Sequence, residues 1–288
     1  MDRRNLLKVI FAGGAAAALP AAARTERKAD PDSVGMLFDS TLCIGCKTCV
    51  VACRQVNGLP PQVKDGMHDY QTELDGQTKN VIKLWKDEKN PAAFAYVKQQ
   101  CMHCIDPGCV SVCMLGALKK TAGGPVTYDK DTCIGCRYCQ VACPFNVPKF
   151  EWNSATPQIV KCDLCQARIA KGAAKEPACT EVCPRKAVIY GKRADLLTEA
   201  HRRIEKNPSF YIDKVYGEDE LGGTSVLYLA SVPFKKLGFP EAGKRSGPSV
   251  TETIQHGVYQ GFITPAILYA GLAAVVIRNR KKNKEGDE

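Results

Sequence analysis

Sixteen cysteines fall between Cys43 and Cys183, and they come in four runs. The tightest reads Cys133-x2-Cys136-x2-Cys139-x3-Cys143-Pro144. Thiolates at that spacing hold 4Fe–4S clusters, the first three wrapping one cubane on a tight loop. The fourth lies too far along to close the same cubane and reaches a neighbouring one, so one such run implies another. A second run, Cys101-x2-Cys104-x4-Cys109-x3-Cys113, stands just before it. Exchange of fourth cysteines predicts two ligand sets here: Cys133, Cys136, Cys139 with Cys113, and Cys101, Cys104, Cys109 with Cys143. The other runs are Cys43-x2-Cys46-x2-Cys49-x3-Cys53 and Cys162-x2-Cys165, then thirteen residues, then Cys179-x3-Cys183-Pro184. Sixteen thiolates suffice for four clusters of four.

Three other chemistries use cysteine. Disulfide frameworks belong to short secreted chains, and this one has 288 residues with its cysteines bunched in C-x2-C pairs. Zinc takes four thiolates as two separated pairs rather than an unbroken C-x2-C-x2-C-x3-C. Buried structural cysteines do not repeat at fixed spacing. Charge excludes a further class. The chain carries 40 Lys+Arg against 30 Asp+Glu, a formal +10. Four oxidised clusters with their thiolates contribute about −8, which nearly cancels that surplus. No basic patch interleaved with aromatics appears, so nucleic acid is not an expected partner.

The elements around the runs repeat as the runs do. An apolar strand-like stretch, Gly35–Asp39, feeds the first run, and a short helix is expected after each third cysteine. The cysteine-free segment from Arg54 to Gln100 has turn signals and two apolar stretches, near 81–85 and 94–97. It reads as a stranded insertion placed over the cluster core. Val126–Tyr128 and Ala187–Gly191 are strands following runs two and four, residues 166–178 are helical then looped, and 195–204 are an amphipathic helix. Residues 225–230 form a further strand. The fold class is therefore α+β: two ferredoxin-like modules, with the inner one (101–143) nested inside an outer one split between 43–53 and 162–183. Together they make a domain over 35–195, followed by an extension over 196–256.

The termini carry addresses. Arg3-Arg4, the apolar Gly/Ala-rich run from Val9 to Leu19 and small residues at 21–23 describe a twin-arginine export signal over 1–23. Residues 257–277 hold no charge, and Arg278-Asn279-Arg280-Lys281-Lys282 follow at once. That is a transmembrane helix with a basic cytoplasmic tail over 278–288, leaving the cluster domain on the periplasmic side.

No nucleophile, base and carboxylate stand together, so no catalytic residue is expected. His68, His103, His201 and His256 are scattered. His103, between two ligand cysteines, is either a donor to a cluster sulfur or a solvated loop residue. His256, ahead of the membrane segment, is either a quinone-side residue or an ordinary interfacial one. Trp85, Tyr138 and Trp152 read as ordinary core packing, the alternative being packing near the clusters. Clusters without a catalytic site make a wire for electrons.

The four-run arrangement resembles the four-cluster electron-transfer subunits of the DMSO reductase/formate dehydrogenase beta type. The segments GMLFDSTLCIGC, KQQCMHCIDPGCVSVC, YDKDTCIGCRYCQVACPFNVPKF and TIQHGVYQGF are similar, more narrowly, to the iron–sulfur subunit of hydrogenase-2-type nickel–iron hydrogenases. Met114 departs from the usual proline without touching a ligand. The resemblance implies the remaining ligand sets, Cys43, Cys46, Cys49 with Cys183, and Cys162, Cys165, Cys179 with Cys53. It also implies partners: the small and large subunits of a nickel–iron hydrogenase, an integral membrane quinone-reactive subunit and, through it, the menaquinone pool. The protein would then be no enzyme by itself but the electron-transfer subunit of a hydrogen:quinone oxidoreductase. Alternatives are the beta subunit of a formate dehydrogenase or related molybdopterin oxidoreductase and, more remotely, a membrane-tethered structural zinc protein.

Overall fold

The computed structural model describes residues 25–61, 73–90, 92–260 and 263–285; the side chains of 255–260, 263–267 and 280–285 are outside this description. The export signal expected over 1–23 and His68 therefore lie outside the described residues.

Five of the six residues of strand β1 (Val34–Asp39) are buried, which suits a strand with neighbours on both edges. Strand β8 (Val188–Lys192) pairs with it antiparallel and β9 (Val226–Leu229) pairs parallel, giving the order β8-β1-β9. Gly35 makes the close approach possible, since a Cβ there would stand 2.0 Å from the Ser225 carbonyl oxygen. The strand leading into run one is thus clamped between the strand leaving run four and one from the extension.

Three two-stranded sheets complete the strands: β2 (Asn80–Lys86) with β3 (Phe94–Gln100), β4 (Leu118–Lys120) with β5 (Val126–Tyr128), and β6 (Lys149–Phe150) with β7 (Ile159–Val160), all antiparallel. The insertion after run one contains the β2–β3 hairpin. Helices follow the cysteines: α1 (Thr48–Val56), α2 (Gly108–Ser111), α3 (Tyr138–Val141), α4 (Gln166–Ala170) and α5 (Ala178–Glu181).

Helix α6 (Arg193–Lys206) buries Leu196, Ala200 and Ile204, spaced by four, against Leu37 of β1 and Leu227 and Leu229 of β9. Burial of Leu196 and Ile204 stabilises the fold by about 1.5–3 kcal/mol each. Asp195 in its first turn and Arg203 and Lys206 in its last complement the helix dipole. The extension adds aromatic core as well: Tyr216 and Tyr228 each lie 4.7 Å, centroid to centroid, from Phe239. It also clamps run two, where Ser225 and Val226 donate backbone hydrogen bonds to the carbonyls of His103 (3.2 Å) and Met102 (3.1 Å). Residues 26–247 form one compact unit.

A second unit carries α7 (Gly247–Gln260) and α8 (Ile263–Glu285). The single transmembrane helix expected over 257–277 includes residues 261–262, which lie outside the described residues. Among the described residues, no helix is long and apolar enough to cross a membrane. Pro265 is the third residue of α8 as described, where a missing N–H and a fixed φ are tolerated. The uncharged part of α8 ends at Arg278 after about 15 residues, roughly 22 Å of helix against the ~30 Å of a hydrocarbon core.

Candidate metal centres

The four runs share one local construction. The third cysteine of each (Cys49, Cys109, Cys139, Cys179) is the second residue of a helix, α1, α2, α3 and α5 respectively. Runs one and three turn left-handed twice before it, at Gly45 and Gly135 (φ 70° each) and at Lys47 (57°) and Arg137 (66°). Such backbone curls the loop tightly and aims N–H groups at sulfur: Gly135 donates to Cys133 Sγ at 3.4 Å, and Leu164 (φ 55°) to Cys162 Sγ at 3.4 Å. Helices α2, α3 and α5 stop after four residues. Three residues beyond the fourth cysteine the chain turns left-handed again, at Gly116, Asn146 and Lys186. Run one differs: α1 continues through Cys53 and Arg54 to Val56. The buried Arg54 guanidinium donates to the Pro60 carbonyl at 2.5 Å.

These loops bring cysteines from distant runs together. One pocket is lined by Cys113, Cys133, Cys136 and Cys139 with Leu118, Phe150 and Ile159. A second is lined by Cys43, Cys46, Cys49 and Cys183 with Phe38, Ile82 and Val188. Soft sulfur donors with an apolar wall suit a cubane of iron and sulfide. Cys46 and Cys136 are the exposed members of these two groups, whereas Cys53, Cys101, Cys109, Cys139, Cys162 and Cys179 are buried.

Electrostatics outlines the two interior groups. Burial, then the charges of Cys101, Cys143 and Cys109, push the Cys104 thiol well up. Burial pushes Cys53 to about 11 and Cys179 to about 12, with Cys165 a neighbour of both. Burial and nearby Cys49, Cys183 and Cys46 push Cys43 to about 12. Some neighbours cross between groups: Cys139 acts on Cys109, Cys101 on Cys162, and Cys49 on Cys179. Thiols so buried and so crowded do not ionise alone. A bound iron cation supplies the opposing charge that lets all four of a group ligate as thiolates.

The protein threads its own cations among them, which the cysteine pattern alone gives no sign of. Lys120 Nζ donates to the His103 carbonyl (2.9 Å), the Gly124 carbonyl and Ser225 Oγ (3.2 Å), and burial holds it down to about 8. Lys161 Nζ donates to the carbonyls of Val126 (2.5 Å) and Cys162 (3.0 Å). Lys98 is fully buried. The solvated reading of His103 is corrected: its ring is fully buried. His103 Nδ1 accepts from the Val126 N–H at 2.9 Å, and Nε2 has no partner among the described residues. Burial and the charges of Lys161 and Lys120 push its pKa well down, so the ring is neutral.

The remaining candidates lie apart. His201 is exposed beside Glu218 (3.2 Å), and the His256 side chain is outside the described residues. Tyr138 and Trp152 are more than half exposed rather than core, with the Arg137 guanidinium 4.2 Å from the Trp152 ring centroid. Trp85 packs at the edge of the main core, as expected.

Comparison with known proteins agrees with this chemistry. Residues 92–193 match the 4Fe-4S dicluster domain family. The chain is 40% identical to the hydrogenase-2 operon protein HybA of Escherichia coli O157:H7, covering 98% of this chain and 97% of that protein. It is 36% identical to the nitrate-inducible formate dehydrogenase iron-sulfur subunit of Escherichia coli (strain K12), over 73% of this chain and 74% of that one.

Proposed function

This chain belongs to the 4Fe–4S protein family that contains the hydrogenase-2 operon protein HybA and the formate dehydrogenase iron-sulfur subunits, and from that membership we propose that it wires a nickel–iron hydrogenase to quinone. Its cofactors are 4Fe–4S clusters, which when bound supply one-electron carriers. The proposed ligand sets are Cys113/Cys133/Cys136/Cys139, Cys101/Cys104/Cys109/Cys143, Cys53/Cys162/Cys165/Cys179 and Cys43/Cys46/Cys49/Cys183. The observation that carries this reading is the pair of pockets lined by four cysteines each, with one exposed cysteine apiece. The contacts between groups support a linear order in the sequence just given, with its two surface ends meeting different partners.

One end is assigned to the hydrogenase small and large subunits and the other to a quinone-reactive membrane subunit feeding menaquinone. The coverage of nearly the whole hydrogenase-2 operon protein, against three quarters of the formate dehydrogenase subunit, supports the hydrogenase partner. The proposed place is the periplasmic face of the bacterial inner membrane. Arg3-Arg4 with the apolar run after them support the twin-arginine route, and the uncharged 257–277 stretch ahead of basic residues supports membrane attachment.

Purification of the tagged chain from membranes tests the reading. Co-isolation of a nickel–iron large subunit, with about sixteen iron atoms per chain, is the expected result. A molybdenum or tungsten pterin subunit in its place would transfer the chain to a formate-type complex. Stoichiometric zinc with little iron would end the cluster reading.

A further inference from the structure

Lys98 lies on β3, opposite Ile82 of β2 in the hairpin register. Ile82 lines the cavity of Cys43, Cys46, Cys49 and Cys183, and Tyr96, two residues along the same face of β3, covers Gly45 in that group's loop. Asn80 Nδ2 reaches the Cys49 carbonyl at 3.5 Å, so the hairpin is laid directly on run one. From this position the Lys98 side chain enters the interior completely, with 0% of it exposed. Its Nζ has no hydrogen-bond partner among the described residues. An ammonium so placed is costly unless opposing charge surrounds it. The charges acting on it are those of Cys179, Cys49, Cys53 and Cys162: one from the first group and three from its neighbour.

Lys120 and Lys161 are also interior, but each spends its donors on backbone carbonyls. Lys98 alone of the three keeps its donors unspent. A positive charge next to a cluster favours the reduced form, because reduction adds a negative charge to a poorly screened site.

We propose that Lys98 is a potential-setting residue, an internal cation at the junction of the clusters held by Cys43/Cys46/Cys49/Cys183 and Cys53/Cys162/Cys165/Cys179, which raises the reduction potentials of those two relative to the other two. The inference rests on the ligand sets proposed above, and its test separates the two.

The test is potentiometric titration followed by EPR on the intact membrane complex, with iron counted in parallel. About sixteen iron atoms in the wild type establish the cluster reading independently of Lys98. In Lys98→Met, which keeps the length and removes the charge, all the iron is retained and two of the four midpoint potentials fall. Full iron with unchanged potentials, or an equal shift of all four, overturns the proposal. Should Lys98→Met lose iron, Lys98→Arg decides: retained iron with wild-type potentials supports the role of charge, and loss in both variants marks Lys98 as a folding element and overturns it.

Discussion

The carboxylate of Asp39, wholly buried at the end of β1, accepts a 3.0 Å hydrogen bond from Arg203 Nη1 on α6. Tyr211 OH (2.9 Å) and the hydroxyl and N–H of Thr41 (2.6 and 3.0 Å) complete its shell. The charge is therefore compensated, and it pins a helix of the extension to the strand that enters run one. Breaking such a pair from one side costs about 3–5 kcal/mol, because the other charge stays behind. Arg203→Met should lower the midpoint of thermal loss of cluster absorbance substantially. Combining it with Asp39→Leu should recover part of that loss. Additive effects of the two changes would show that the pair does not act as a unit.

The matching glycines of runs one and three should respond differently to alanine. Both have φ of 70°, a conformation that costs an L residue roughly 1–2 kcal/mol. A Cβ at Gly45 would also run into the Tyr96 ring, 2.3 Å away, whereas at Gly135 the nearest atom is the Pro157 carbonyl oxygen at 3.6 Å. Gly135→Ala should keep its iron with modest destabilisation. Gly45→Ala should lose about four iron atoms, one cluster's worth. Equal iron content in the two variants would refute the distinction.

Cys143 tests the exchange of ligands between neighbouring runs. It follows Cys139 by four residues yet is placed as a neighbour of Cys101 and Cys104. Cys143→Ser should perturb the EPR signal of the Cys101/Cys104/Cys109 cluster and spare that of Cys133/Cys136/Cys139. The reverse pattern would show that run three closes its own cluster.

Glu199 sets a pH dependence. Hydrogen bonds from Arg202 (2.7 and 2.9 Å), opposed by burial and joined by Arg203 (2.8 Å), hold its carboxyl near about 2 instead of the ordinary 4.5. A depressed folded-state pKa means stability that is fully present above about 4.5 and disappears as pH falls towards 2. With solvent screening the contribution is on the order of 1 kcal/mol. Urea titrations of wild type and Glu199→Gln should differ at pH 7 and converge below pH ~4.5. A gap that persists unchanged in acid would assign the loss to packing instead.

The cysteine runs, the strands beside them and α6 were legible because each is written in local spacing. What was not legible depends on residues far apart in sequence. Nothing in Val226–Leu229 announces that it pairs parallel with β1, so the extension looked like an appendage rather than a third of the central sheet. Nothing local in the sequence marks Lys98 as buried, since its surroundings come from runs far away in the chain.

The central sheet also has a meaning in time. Both edges of β1 are filled by segments the ribosome makes much later, 188–192 and 226–229. The cysteine loop that emerges first is thus among the last to be locked into shape. Iron delivered to a nascent chain would meet the middle runs, already complete, long before the outer ones. Completion of the outer clusters therefore waits for near-complete synthesis, whereas the inner pair has all its ligands once run three is made.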